Sequence, residues 1–140
     1  MTREELLGKI CYMPHPEVHS GEVMFILDKD ATTSIDPTAH LDLTGSLTFG
    51  PYCMIGAGVT IFTHDHVHEG REPLLLNNNI KWQNKVIGRD VWFHDHCIVL
   101  YQVNCIPEGV IIGAGAVLTK NSEVPYGIYA GNPAILIGNR

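Results

Sequence analysis

The chain has 140 residues, 45% hydrophobic and 17% charged, which suits one compact domain and excludes a two-domain layout or a mostly disordered chain. A formal charge of −6 offers no broad basic face to a phosphate backbone, so nucleic acid is not an expected partner. No apolar run approaches the roughly 18 residues of a membrane span, and the start, MTREELLGKI, carries carboxylates where a secretory leader carries positive charge. No membrane role is expected, and a cytoplasmic location is.

Thr2 and Glu5 have capping-box spacing, and Leu6, Leu7 and Ile10 give a short apolar face before Pro14 and Pro16 stop a helix. Val23 to Leu27 is β-prone between Gly21 and Asp28, and predicts a strand covering an open end of the fold. Residues 1–30 are therefore read as an N-terminal cap segment, and 31–140 as the main domain.

From Leu43 the apolar residues recur every six positions, a period that belongs to neither an amphipathic helix nor an ordinary strand. One inward column is Leu43, Phe49, Ile55 and Ile61, then Ile87, Phe93 and Val99, then Ile112, Leu118 and Val124. A second column four residues on, mostly smaller, is Leu47, Cys53 and Val59, then Val91, Cys97 and Val103, then Ala116, Ser122 and Ile128. Gly50, Gly56, Gly88 and Gly113 each follow a column residue, where a chain that must bend every sixth position gains from lacking a Cβ. Three such sides make a triangular coil, and the expected fold is an all-β parallel β-helix.

The spacing from Ile87 to Ile106 is 19, which places one extra residue near Tyr101 to Cys105, and a second extra residue is expected near Glu123. A larger break at about 66–84 keeps no period and exceeds the ~12–15 residues usual for a structureless connection. Such an excursion loop is often functional. Cys11, Cys53, Cys97 and Cys105 form no CxxC pair, so neither disulfides nor a cysteine zinc site is expected.

Thr63-His64-Asp65-His66 interrupts the apolar column where the excursion begins, putting an imidazole at the core edge under a potential lid. An imidazole within hydrogen-bond reach of a hydroxyl can remove its proton near neutral pH, so His64 is the candidate general base, with His66 beside it as fallback and acceptor contact. A second HDH element, His94-Asp95-His96, raises the alternative of a metal site. Neither pair has a third ligand at a compelling spacing, and no metal is expected.

Three segments carry a family resemblance: VTIFTHDH at 59–66, KVIGRDVW at 85–92 and VIIGAGAVLTKNSEVPYGIYAGNPA at 110–134. Over roughly residues 35–134 the chain resembles the hexapeptide-repeat acyltransferases, especially the branch of maltose, galactoside and related sugar O-acetyltransferases. The resemblance implies a left-handed parallel β-helix, usually a homotrimer, with acetyl-coenzyme A between neighbouring subunits. It implies that His64 is the base, that Trp92 lines the pantetheine path and that the chain around His94 and Asp95 faces the reacting carbonyl. It further implies that Ala114 and Gly115 let the cofactor approach, that Thr119 and Lys120 lie near its nucleotide end, and that Asn132 and Pro133 shape a turn beside it. Relatives carry Ile-Gly and a small residue where FHDH stands at 93–96, and a Lys where Ile135 stands, so phosphate contacts are expected from Lys120 and Arg140.

The function so implied is acetyl-coenzyme A-dependent O-acetylation of a sugar or similar small hydroxyl compound. A γ-type carbonic anhydrase uses the same coil with histidine-bound metal, but the AGNPA ending argues against it, and a non-catalytic trimeric β-helix module is the third reading. A coil of few turns also has a limited core, which gives trimerisation a physical motive.

Overall fold

A side of six residues has room for a strand of two or three residues and a corner, and the chain is built from such units. The computed structural model describes residues 25–26, 33–76 and 79–140. Its strands are β1 (Phe25–Ile26), β2 (Ser34–Ile35), β3 (His40–Leu41), β4 (Leu47–Phe49), β5 (Met54–Ile55), β6 (Thr60–Ile61), β7 (His64–His66) and β8 (Ile80–Trp82). There follow β9 (Lys85–Ile87), β10 (Trp92–Phe93), β11 (Ile98–Val99), β12 (Cys105–Ile106), β13 (Ile111–Ile112), β14 (Val117–Leu118), β15 (Gly127–Ala130) and β16 (Ile135–Asn139).

Three sheets result, each visited once per turn of the coil. The first runs β1-β4-β9-β12, the second β16-β15-β13-β10-β5-β2 and the third β14-β11-β6-β3. All pairings in them are parallel except β15 with β16, which closes the C-terminal end as an antiparallel pair. Ile35, Ile55, Phe93 and Ile112 stack on the second face, and Leu41, Ile61, Val99 and Leu118 on the third. These residues are all buried, as are Cys53, Val59, Val91, Cys97, Val103 and Ala116 of the second column, and Val110 six residues before Ala116. One continuous apolar core therefore fills the prism, with Phe49 edge-on to Phe93 at 6.4 Å.

Three expectations need correction. Leu43 is buried but is not a rung of the ladder: Leu41 stands beside Ile61, so the first coil carries two extra residues before β4. Near Glu123 the coil is one residue short, because Tyr129 pairs with Ile112 from 17 positions on. Tyr129 is consequently buried, while Ile128 and Val124 are only half-buried. Gly50, Gly56 and Gly88 do gain from lacking a Cβ, as expected, through crowding between coils and not through a left-handed backbone. A Cβ there would come within 2.6, 2.3 and 2.7 Å of the next coil, whereas the positive φ falls two residues later, at Tyr52, Gly58 and Asp90.

Last, the excursion is not structureless: β7 and β8 pair antiparallel, His64 opposite Trp82, and a short 3₁₀ turn at Leu74–Leu76 lies beyond them. The N-terminal helix lies outside the described residues. Of the Val23 to Leu27 strand only β1 is described, and it is a parallel rung beside β4 rather than a lid.

The corner joining the third face to the first holds the two extra residues before β4, the whole hairpin before β9 and the one extra residue before β12. Pairing is released at a corner, so length can change there without shifting the ladders.

Candidate active site

That irregular corner assembles the chemistry. Asp42 follows β3, and its carboxylate is 2% exposed, a costly place for a charge unless every lone pair is used. Oδ1 accepts from the Thr44 N–H at 3.0 Å and its hydroxyl at 2.7 Å, while Oδ2 accepts from the Thr63 and His64 N–H groups at 2.8 and 3.0 Å. Oδ2 also lies 2.6 Å from His64 Nδ1. Burial pushes the Asp42 carboxyl upward, but the bonds from Thr44, Thr63 and His64 outweigh it and leave the group below the ordinary carboxylate range. The carboxylate thus orients the imidazole through Nδ1 and leaves Nε2 as the nitrogen able to meet a hydroxyl.

Thr63 locks the arrangement from the core side. Its hydroxyl donates to the Asp42 carbonyl at 2.9 Å and accepts the Gly45 N–H at 2.8 Å, and the residue is fully buried. Gly45 has no alternative side chain, since a Cβ would sit 2.0 Å from the Gln83 carbonyl oxygen where the hairpin returns.

His64 opens onto a groove of about 720 Å³ lined by Phe62, His66, His68, Lys81, Leu100, Tyr101 and Gln102 among others. The His66 ring is 5.7 Å from that of His64, so the two imidazoles share the groove. Across from them, Lys81 of β8 is ion-paired to Glu69 at 3.3 Å and lies 5.7 Å over the Tyr101 ring. Beneath the groove, buried Lys85 donates to the carbonyls of Leu100, Tyr101 and Val103. Burial pushes its ammonium down to about 7, with the Asp42 charge pulling the other way.

The remaining expected residues divide between corners. Asp95, Ala114, Gly115 and Asn132 stand on successive coils at the corner between the second and third faces. Asp95 Oδ1 accepts the Ala57 N–H at 3.0 Å and the Asp95 carbonyl accepts the Gly115 N–H at 3.0 Å, so this acid ties three coils together. Gly115 has φ +66 with nothing within 4 Å of a Cβ position, an open spot where a ligand chain could pass. Thr119 and Lys120 follow β14 on the same corner as His64, two coils away, or about 10 Å at the usual strand spacing. Lys120 borders a smaller cavity with Asn121, Tyr129 and Ile135.

Trp92 projects from the second face, stacked on His94 at 4.0 Å, away from the His64 groove of this same chain. Arg140 is held elsewhere too, donating to the Asp90 carboxylate at 2.8 Å and the Gly109 carbonyl at 3.2 Å. Among the described residues no three His, Cys, Asp or Glu side chains are grouped as metal ligands.

Sequence reasoning missed Asp42, Lys85 and Tyr101. Lys85 had a signal, since it shares strand parity with inward Ile87. Asp42, an acid between two inward leucines one coil before Thr63, had a weaker one.

The prism with its corner groove is the hexapeptide-repeat β-helix of the acetyltransferases. A hexapeptide-repeat acetyltransferase from Vibrio cholerae O1 biovar eltor, solved with acetyl-coenzyme A, superposes with a TM-score of 0.68 over 83% of this chain and 60% of its own, at 20% identity. A galactoside acetyltransferase in complex with coenzyme A gives 0.66 over 98% and 69%, also at 20% identity. In sequence, the chain is 31% identical to a chloramphenicol acetyltransferase of Klebsiella aerogenes over 71% of its length. It is 43% identical to a probable macrolide acetyltransferase of Lysinibacillus sphaericus over 72%. It spans 54% and 64% of those two relatives, and no family model matches.

Proposed function

We propose that the chain is an acetyl-coenzyme A-dependent O-acetyltransferase acting on a sugar or similar small hydroxyl compound, with His64 as general base. The observation that carries this is the buried Asp42 carboxylate on His64 Nδ1, at the mouth of a groove of about 720 Å³. A pocket of that size takes a ligand of disaccharide or small-drug dimensions, with Phe62, Leu100 and Tyr101 for ring faces and His66, His68, Lys81 and Gln102 for hydroxyls.

In the reaction His64 Nε2 receives the acceptor's hydroxyl proton as its oxygen bonds to the acyl carbon. Asp42 stabilises the resulting imidazolium, and His64 then returns the proton to the departing sulfur as the carbon–sulfur bond breaks. Acetyl-coenzyme A supplies an acyl carbon activated as a thioester. Asp95, Ala114, Gly115 and Asn132, at the corner between the second and third faces, fit the pantetheine arm, and Thr119 and Lys120, on the His64 corner, the nucleotide end; Trp92 belongs to the pantetheine wall. Arg140 would reach a phosphate only by exchanging its Asp90 partner.

Because Trp92 and His64 stand on different parts of the surface of one chain, a donor touching both calls for two subunits. The reading therefore includes a homotrimer and a left-handed coil, as the family resemblance implies, and a cytoplasmic location, where the thioester is available. No helix among the described residues is long and apolar enough to cross a membrane.

The test is calorimetric titration with acetyl-coenzyme A, followed by thiol-release assays over a panel of sugars and hydroxyl-bearing antibiotics, with native protein and His64→Ala. Binding, turnover with at least one acceptor, and a loss on the order of 10²–10⁴-fold in His64→Ala are expected. Absence of any donor binding rejects the enzyme class, and a fully active His64→Ala rejects the assigned base alone.

A further inference from the structure

Lys85 stands where the repeat calls for an apolar residue, inside the coil and 1% exposed. An ammonium has three donors, and here all of them go to one corner: the carbonyls of Leu100 at 3.0 Å, Tyr101 at 2.9 Å and Val103. This is the corner with one residue more than the repeat allows, between β11 and β12. Without the ammonium the Leu100 carbonyl would keep only the Val103 N–H at 3.2 Å, and carbonyls turned toward an apolar core with no donor are costly, so the longer corner needs a buried cation beneath it.

The same corner supplies Leu100, Tyr101 and Gln102 to the groove that His64 faces. It is held from outside by Lys81 over the Tyr101 ring at 5.7 Å, and from inside by Lys85. The Lys85 N–H also donates to the Ser46 carbonyl at 2.8 Å, which ties the cation's own backbone to the first coil beside Asp42.

We propose that Lys85 is a positioning residue: from within the coil its ammonium fixes the 100–103 corner as the acceptor-side wall of the groove facing His64. Its acceptor role rests on the acetyltransferase reading; the fixing of the corner does not, so the two are tested separately. Lys85→Met keeps the stem and removes the donors. Hydrogen exchange at the 101–104 amides is expected to quicken at least tenfold, with β7 and β8 unaltered. In turnover assays the acceptor KM is expected to rise about tenfold, while the acetyl-coenzyme A Kd stays within about twofold.

A folded Lys85→Met protein with native corner exchange overturns the proposal, whether or not the protein acetylates anything. Faster corner exchange with an unchanged acceptor KM overturns the positioning role as well. If native protein shows no turnover, the enzyme reading falls and the exchange result alone decides the corner. Should Lys85→Met not fold, Lys85→Arg decides. It keeps the charge, but a planar fork does not converge on three carbonyls, so rises of about threefold in corner exchange and acceptor KM are expected. Native values of either would overturn the proposal.

Discussion

Asp42 receives five hydrogen bonds in a place where water cannot compensate a lost one, and this makes it both structural and chemical. Asp42→Asn would replace one acceptor oxygen by a donor against N–H groups and remove the charge facing an imidazolium. Turnover is expected to fall about 10²-fold in a thiol-release assay, with a lowered Tm. The pH dependence follows from the direction of its shift. A carboxyl held below its unfolded value adds stability that is present above about pH 4 and lost as pH falls through the folded value. Thermal melts between pH 6 and pH 2.5 should therefore show a drop that is smaller in Asp42→Asn; equal drops would mean that Asp42 is not the acid-labile group. At this scale the histidine proposed as base was legible, because Thr-His interrupts an apolar column. Its carboxylate partner was not, since it lies 22 residues earlier and meets the histidine only through stacking of coils.

The strands are nearly interchangeable, and the corners carry the differences between them. At the corner between the first and second faces the left-handed positions are Tyr52, Asp90, Gly109 and Tyr126; at the next they include Gly58, His96 and Gly115. Non-glycine residues hold several of them, so glycine content alone did not reveal where the chain turns. Gly45 is the most constrained corner residue of the site, with the returning hairpin's backbone at 2.0 Å from its Cβ position. Gly45→Ala should destabilise the protein by about 1–3 kcal/mol or more and displace Thr63 and with it His64. A denaturant titration together with the turnover assay would check this, and a variant with native stability and activity would contradict the described packing. The period of six predicted the rungs from Phe49 to Leu118 because each inward residue must reappear at the same place. It misjudged Leu43 and Ile128, because an insertion or deletion inside a corner leaves no mark on the apolar pattern next to it.

For the molecule as a whole, the prism leaves apolar side chains on its surface, including Tyr52, Met54 and Val86, all about half exposed, and the excursion leaves Leu75 at 93%. Assembly into a trimer would cover part of this surface and bring one chain's Trp92 toward another chain's corner. Sedimentation equilibrium at micromolar concentration is expected to give three chains per particle; a monomer there would remove the two-subunit donor site from the reading. The amino-acid order by itself determined the coil, its two inward columns, the place of the excursion and the histidine at its root, because each follows from a local period or from its interruption. Only the tertiary structure decided which residues gather there. Asp42, His64 and Lys85 lie on three different coils, with Tyr101 at the far end of the Lys85 coil, and contacts between coils depend on the exact length of each corner, a quantity to which the buried repeat is indifferent.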